Sequence, residues 1–135
     1  DSALSSVKGL SQSLADKLYK IKDAKCRTFI ELLALLKDIK VSSDQLDILI
    51  KINYFSDFGG INELLGQVEL FNKFYGRKQI PKEEVNFLGI SADIIMNYSS
   101  ETEKLYKIND SVGLLNEIIK NTNLPLITDY SVKIN

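Results

Sequence analysis

Ile61-Asn62-Glu63-Leu64-Leu65-Gly66-Gln67-Val68-Glu69-Leu70-Phe71-Asn72-Lys73-Phe74-Tyr75 carries the clearest pattern in this chain. Ile61, Leu64, Leu65, Val68, Phe71, Phe74 and Tyr75 recur at i, i+3, i+4, i+7, i+10, i+13 and i+14, one face of an α-helix. The spacing predicts a helix over 61–75 that buries Leu64, Leu65, Val68 and Phe71. Gly59-Gly60 breaks the chain before it, and Gly76 stops it.

The same logic works outward. Leu14, Leu18 and Ile21 follow helical spacing. Thr28 with Glu31, and Ser42 with Gln45, have the capping-box spacing, in which the hydroxyl takes an orphan amide and the longer side chain returns the bond. They open the apolar run Phe29–Leu36 and the segment holding Leu46, Leu49 and Ile50. Pro81 suits the first position of a short helix through Phe87. Ser91 caps a helix to Asn97, Ser100 caps one starting at Glu101, and Asp110 or Ser111 starts Val112–Lys120. No strand alternation and no Asn-Gly hairpin turn stands out. The expected fold class is all-α, a compact bundle of about six to eight short helices. Gly59-Gly60 divides it into subdomains 1–59 and 60–135, the second a helical extension leading toward a further domain.

Composition narrows the chemistry. The 135 residues are 44% hydrophobic and 26% charged, which fits a globular domain and neither disorder nor a disulfide scaffold. With no histidine, His bases, Ser-His-Asp or Cys-His nucleophiles and His-ligated zinc are excluded. The single cysteine, Cys26, cannot form an internal disulfide or a thiolate cluster. Lys25 and Arg27 beside it favour its thiolate, but it lacks a base. A lone free cysteine fits a reducing, cytoplasmic setting. Uncharged runs such as Val85–Ala92 are far shorter than the ~20 residues of a membrane span, and no signal peptide is seen. The chain opens at Asp1-Ser2 without an initiator Met and reads as a segment of a longer protein. Net charge is −1, yet residues 8–40 hold eight cations against four anions, and residues 41–135 nine against thirteen. The N-terminal third is locally basic.

Within it lies Leu4-Ser5-Ser6-Val7-Lys8-Gly9-Leu10-Ser11-Gln12-Ser13-Leu14-Ala15, the pattern of a helix-hairpin-helix element. Gly9 permits a tight turn, and Leu10 plugs the gap between the helices. The free amides that start the second helix, with the positive end of its dipole behind them, suit a phosphate. The expected DNA-phosphate site is Lys8, Gly9, Leu10, Ser11, Gln12, Ser13 and Lys17, with both lysines pointing to solvent. Such contacts read backbone and not bases. Ser11 stands where the usual hairpin has a second glycine, and serves as an N-cap instead. The competing reading is an ordinary corner with Gly9 as a helix stop.

Val7-Lys8-Gly9-Leu10, Phe29-Ile30-Glu31-Leu32-Leu33 and Gln45-Leu46-Asp47-Ile48-Leu49-Ile50-Lys51-Ile52-Asn53-Tyr54-Phe55-Ser56-Asp57-Phe58-Gly59 together resemble one family. It is the helix-hairpin-helix segment of the bacterial replicative DNA polymerase III alpha subunit, in a divergent Firmicute- or phage-like version. The resemblance covers residues 4–75 and is loose beyond. Asn53 stands where that family's ending has a glycine. The resemblance implies a non-catalytic segment contacting double-stranded DNA behind the polymerase active site, working with the rest of the polymerase chain at the bacterial nucleoid or replisome. The parent is a DNA-directed DNA polymerase; its metal-binding aspartates and its OB domain have no counterpart here. No cofactor and no metal are expected.

Other features carry less. Gln67-Val68-Glu69-Leu70-Phe71 resembles the Gln-x-x-Leu-Phe peptide that docks on the sliding clamp. That peptide binds extended, with its Leu and Phe free, whereas here Val68 and Phe71 continue a core stripe, so the core reading outweighs it. Glu83-Glu84 and Glu101 with Glu103 lie at expected helix starts, where acids favour the dipole, and nothing joins them as an acid–base pair. Tyr54, Phe55 and Phe58 are expected to pack a helix junction, since base-stacking aromatics must be exposed on a basic face. A glycosylase would need a catalytic aspartate in Gly-Pro-Asp or Gly-Val-Asp, which is absent. The remaining alternative is an all-α protein–protein interaction module without DNA binding.

Overall fold

The computed structural model describes residues 11–122. The chain divides between Leu65 and Gly66 into two compact units. The described part is 61% helix, in seven α-helices, with one small three-stranded sheet. Among the described residues no helix is long and apolar enough to cross a membrane.

The first unit holds α1 (Gln12–Lys20), α2 (Phe29–Asp38), α3 (Ser43–Lys51), a 3-10 turn (Ser56–Phe58) and the start of α4 (Ile61–Phe74). Each of the first three helices is opened by the hydroxyl residue that the sequence supplies. Ser11, Thr28 and Ser42 accept the amides of Leu14, Glu31 and Gln45. Gln45 returns the bond to Ser42, whereas Glu31 reaches one residue further back, accepting from the Arg27 N–H at 3.1 Å. The helices bury Leu14, Ala15 and Leu18, then Phe29, Ile30, Leu32, Leu33 and Leu36, then Leu49 and Ile50. Phe29 meets both Phe55 and Phe58 with ring centroids 5.7 Å apart, so these two rings do close a helix junction.

Helices α2 and α3 end alike. Val41 N–H donates to the Leu36 carbonyl, and Tyr54 N–H to the Leu49 carbonyl, each at 3.0 Å. This wrap-back requires a left-handed residue in between, here Lys40 at φ 68° and Asn53 at φ 64°. Glycine adopts that conformation without the steric penalty that a Cβ brings. Lys40→Gly is therefore expected to stabilise the protein by about 0.5–1 kcal/mol. Urea titration checks it, and a destabilised variant would refute it. At Gly59 (φ 148°, ψ 179°) the demand is stricter, because that backbone region is open essentially only to glycine.

The second unit holds the rest of α4, then β1 (Gln79–Pro81), α5 (Lys82–Leu88), α6 (Ala92–Met96), β2 (Ser99–Glu101), β3 (Leu105–Ile108) and α7 (Ser111–Asn121). The sheet is antiparallel in the order β1-β3-β2, with Ile80 opposite Tyr106 and Ser100 opposite Lys107. These strands correct the all-α expectation and replace the helix expected from Glu101. Their hairpin is not built on Asn-Gly. The Thr102 N–H donates to the Leu105 carbonyl at 2.9 Å, and the Thr102 hydroxyl accepts from the Leu105 N–H. Pro81 ends β1 and precedes α5 instead of entering it. Ser91 and Asp110 cap α6 and α7.

Helix α4 matches the expected span, but its buried face is rotated. Leu64, Leu70, Phe71 and Phe74 are buried, while Leu65 and Val68 are only half-buried. Gln67 lies on the buried seam at 7% exposure. The apolar stripe is wide enough to offer two seams, and neighbouring elements chose between them.

Candidate nucleic-acid interface

Lys8, Gly9 and Leu10, where the sequence places the turn of the expected hairpin, lie outside the described residues. The described half of the expected site is the start of α1. Ser11, Gln12 and Ser13 are all exposed there. The first intrahelical bond runs from the Ala15 N–H to the Ser11 carbonyl at 3.1 Å, so the amides of Gln12 and Ser13 precede the helical ladder. The Ser11 hydroxyl accepts from the Leu14 N–H at 3.2 Å, which leaves its own proton to donate outward. No acidic residue occupies the first turn. Asp16, one turn on, accepts from the Gln12 amide at 3.0 Å.

Lys17 departs from expectation. Its side chain does not simply point to solvent: Lys17 is half-buried, and its ammonium donates to the Lys40 carbonyl at 3.2 Å. The left-handed turn at Lys40 leaves carbonyls at the end of α2 without helical partners, and a cation one helix away satisfies one of them. The remaining ammonium protons of Lys17 are still donors. Exposed cations lie instead at Lys20, Lys22, Lys25 and Arg27, around the loop from α1 to α2. Their excess was visible as local charge, but not their placement.

Cys26 also differs. Burial comes first, with the nearby Glu31 carboxylate second, and together they push its thiol above the ordinary cysteine range. Lys25 and Arg27 do not reverse this, so the thiol is less ionised at neutral pH than a free one.

Two of the carboxylates considered for acid–base work, Glu84 and Glu101, have structural partners. Arg77 clamps Glu84 through two hydrogen bonds of 2.7 and 2.9 Å. Lys82 pairs with Glu101 at 2.9 Å. Among the described residues no group of three or more His, Cys, Asp or Glu is placed to hold a metal ion. The segment Gln67–Phe71 sits inside α4 with Gln67, Leu70 and Phe71 buried, which is not the extended form the clamp peptide takes.

Comparisons with protein-family models, with curated proteins and with solved structures found no match to this chain.

Proposed function

We propose that this chain is a non-catalytic, sequence-independent DNA-backbone binding segment of a bacterial replicative DNA polymerase of the DNA polymerase III alpha kind. The observation that carries the reading is the start of α1. A Ser11-capped helix opens with exposed Ser11, Gln12 and Ser13 and no first-turn acid, directly after Lys8-Gly9-Leu10. Amides at the positive end of a helix attract phosphate without distinguishing bases. Asn53 adds support to the resemblance. It holds the left-handed conformation at the position where that family's ending has glycine, so the departure keeps the same backbone demand.

The chemistry follows from what such a site does. Phosphate oxygens accept from the Gln12 and Ser13 amides and the Ser11 hydroxyl, while Lys8 and Lys17 supply charge. The segment holds duplex in place and transfers nothing; nucleotidyl transfer belongs to the parent's catalytic domain.

Amide chemical-shift titration with duplex at low salt tests the reading. The amides from Ser11 to Ala15 should move with any duplex of sufficient length. Three phosphate contacts give a slope of about −2.7 and roughly 40-fold weaker binding between about 50 and 200 mM salt. Combining Lys8→Ala with Lys17→Ala should lower the slope by about one to two units. If these amides stay silent, Gly9 is only a helix stop and the interaction-module reading takes over.

A further inference from the structure

A groove of about 170 Å³ opens on the first unit, away from any use made of it above. Lys22, Cys26, Tyr54, Phe55 and Phe58 line it, and Leu18 adds to the apolar lining. Phe55 is buried, but Tyr54 is 44% exposed. That corrects the expectation that all three aromatics pack a junction: two do, and the third is presented at the surface. Tyr54 and Phe55 meet at 5.1 Å with their planes 83° apart. In either sense of a T-shaped contact, Phe55 leaves at least one face of Tyr54 uncovered.

Charge marks what such a groove recognises. Lys20, Lys22, Lys25 and Arg27 occupy the 20–27 side against the single acid Asp23, which Lys22 approaches at 3.4 Å. Glu31 is occupied by the Arg27 amide at 3.1 Å and its guanidinium at 4.0 Å. No carboxylate lines the groove, and Lys22 is its charged lining residue. The volume admits one planar ring and is too small for the several anchors of an amphipathic helix. An exposed aromatic face, an apolar groove and a lining lysine flanked in sequence by further exposed cations are the components of single-strand recognition.

We propose that this groove takes an unpaired base of single-stranded nucleic acid, stacked on Tyr54, with Lys22 and Lys25 on the flanking phosphates. It is a second contact, distinct in kind from the backbone site at α1, and does not rest on it. Stacking reads a π-face that every base has, so the contact tolerates any sequence, with the strand running along the 20–27 side.

Full-length chain with an oligothymidylate of about 10 nucleotides, at low salt, tests this. Bound oligonucleotide should slow alkylation of Cys26 by iodoacetamide, a readout that needs no substitution. Tyr54→Ala should weaken binding at least about 5-fold, while Tyr54→Phe, which keeps the ring, should bind as the parent does. Lys22→Ala with Lys25→Ala should reduce the single-strand salt slope by about 1.4. Unprotected Cys26 at saturating oligonucleotide overturns the proposal, as does equal binding by Tyr54→Ala with amide dispersion intact. Protection of Cys26 by an acidic apolar peptide but not by the oligonucleotide also overturns it, making the groove a protein-docking site. Duplex-induced shifts at Ser11–Ala15 report the other site and are unaffected by these outcomes.

Discussion

Phe71→Ala should destabilise the protein by about 3–5 kcal/mol, measured by denaturant titration. Phe71 is 5% exposed and stacks on Tyr75 with centroids 4.3 Å apart and planes 15° from parallel. Truncation removes a large apolar surface and leaves a cavity that a regular helix cannot collapse into. Domains of this size have about 5–15 kcal/mol in total, so the variant should lose a substantial share of its stability. A loss under about 1 kcal/mol would show that the ring is not core, and coupled with loss of sliding-clamp binding it would restore the clamp-peptide reading of Gln67–Phe71.

Arg77→Ala is the second large effect, expected at about 3 kcal/mol. Its partner Glu84 is only 6% exposed, and the guanidinium holds it in a two-pronged pair. Arg77 also donates to the Lys73 carbonyl at 3.4 Å and lies over the Phe74 ring at 6.0 Å. Removing it strands a buried carboxylate beside the start of α5, and the cost is mainly that of the unpaired charge. Replacing both partners by apolar residues, Arg77→Met with Glu84→Leu, should recover most of the loss, because no charge is then left without a partner. A double variant as unstable as Arg77→Ala would mean that the bond geometry itself, not the orphaned charge, sets the stability.

Legibility followed the range of the interactions. Ser42 with Gln45, Thr28 with Glu31, Ser91 and Asp110 all cap helices as their local spacing indicates, because a cap joins residues two or three apart. The strands escaped notice. Gln79–Pro81, Ser99–Glu101 and Leu105–Ile108 are too short for alternation to register; β2 and β3 form a local hairpin without an Asn-Gly signal, and β1 is extended because it pairs with β3, more than twenty residues on. Glu84 stands in the first turn of α5, as its sequence position indicates. Its pairing with Arg77 depends on the turn between α4 and β1, which no helical periodicity reports.

The candidate sites divide the same way. The Ser11 cap and the basic excess of residues 8–40 were in the sequence, since both are statements about neighbours along the chain. That Lys17 turns back to the Lys40 carbonyl, that Cys26 is made less acidic by burial, and that Tyr54 faces outward while Phe55 faces inward were not.

By itself, then, the sequence determined where most helices of this protein begin and end, and which third of the chain is basic. Caps, glycine breaks and charge act within a turn or two. Only the tertiary structure decided which seam of α4 is buried, that three short segments pair into a sheet, and that of three aromatics lining one groove Tyr54 alone is left largely exposed. Those outcomes depend on surfaces contributed by residues tens of positions away, where packing and strand pairing outweigh any local preference.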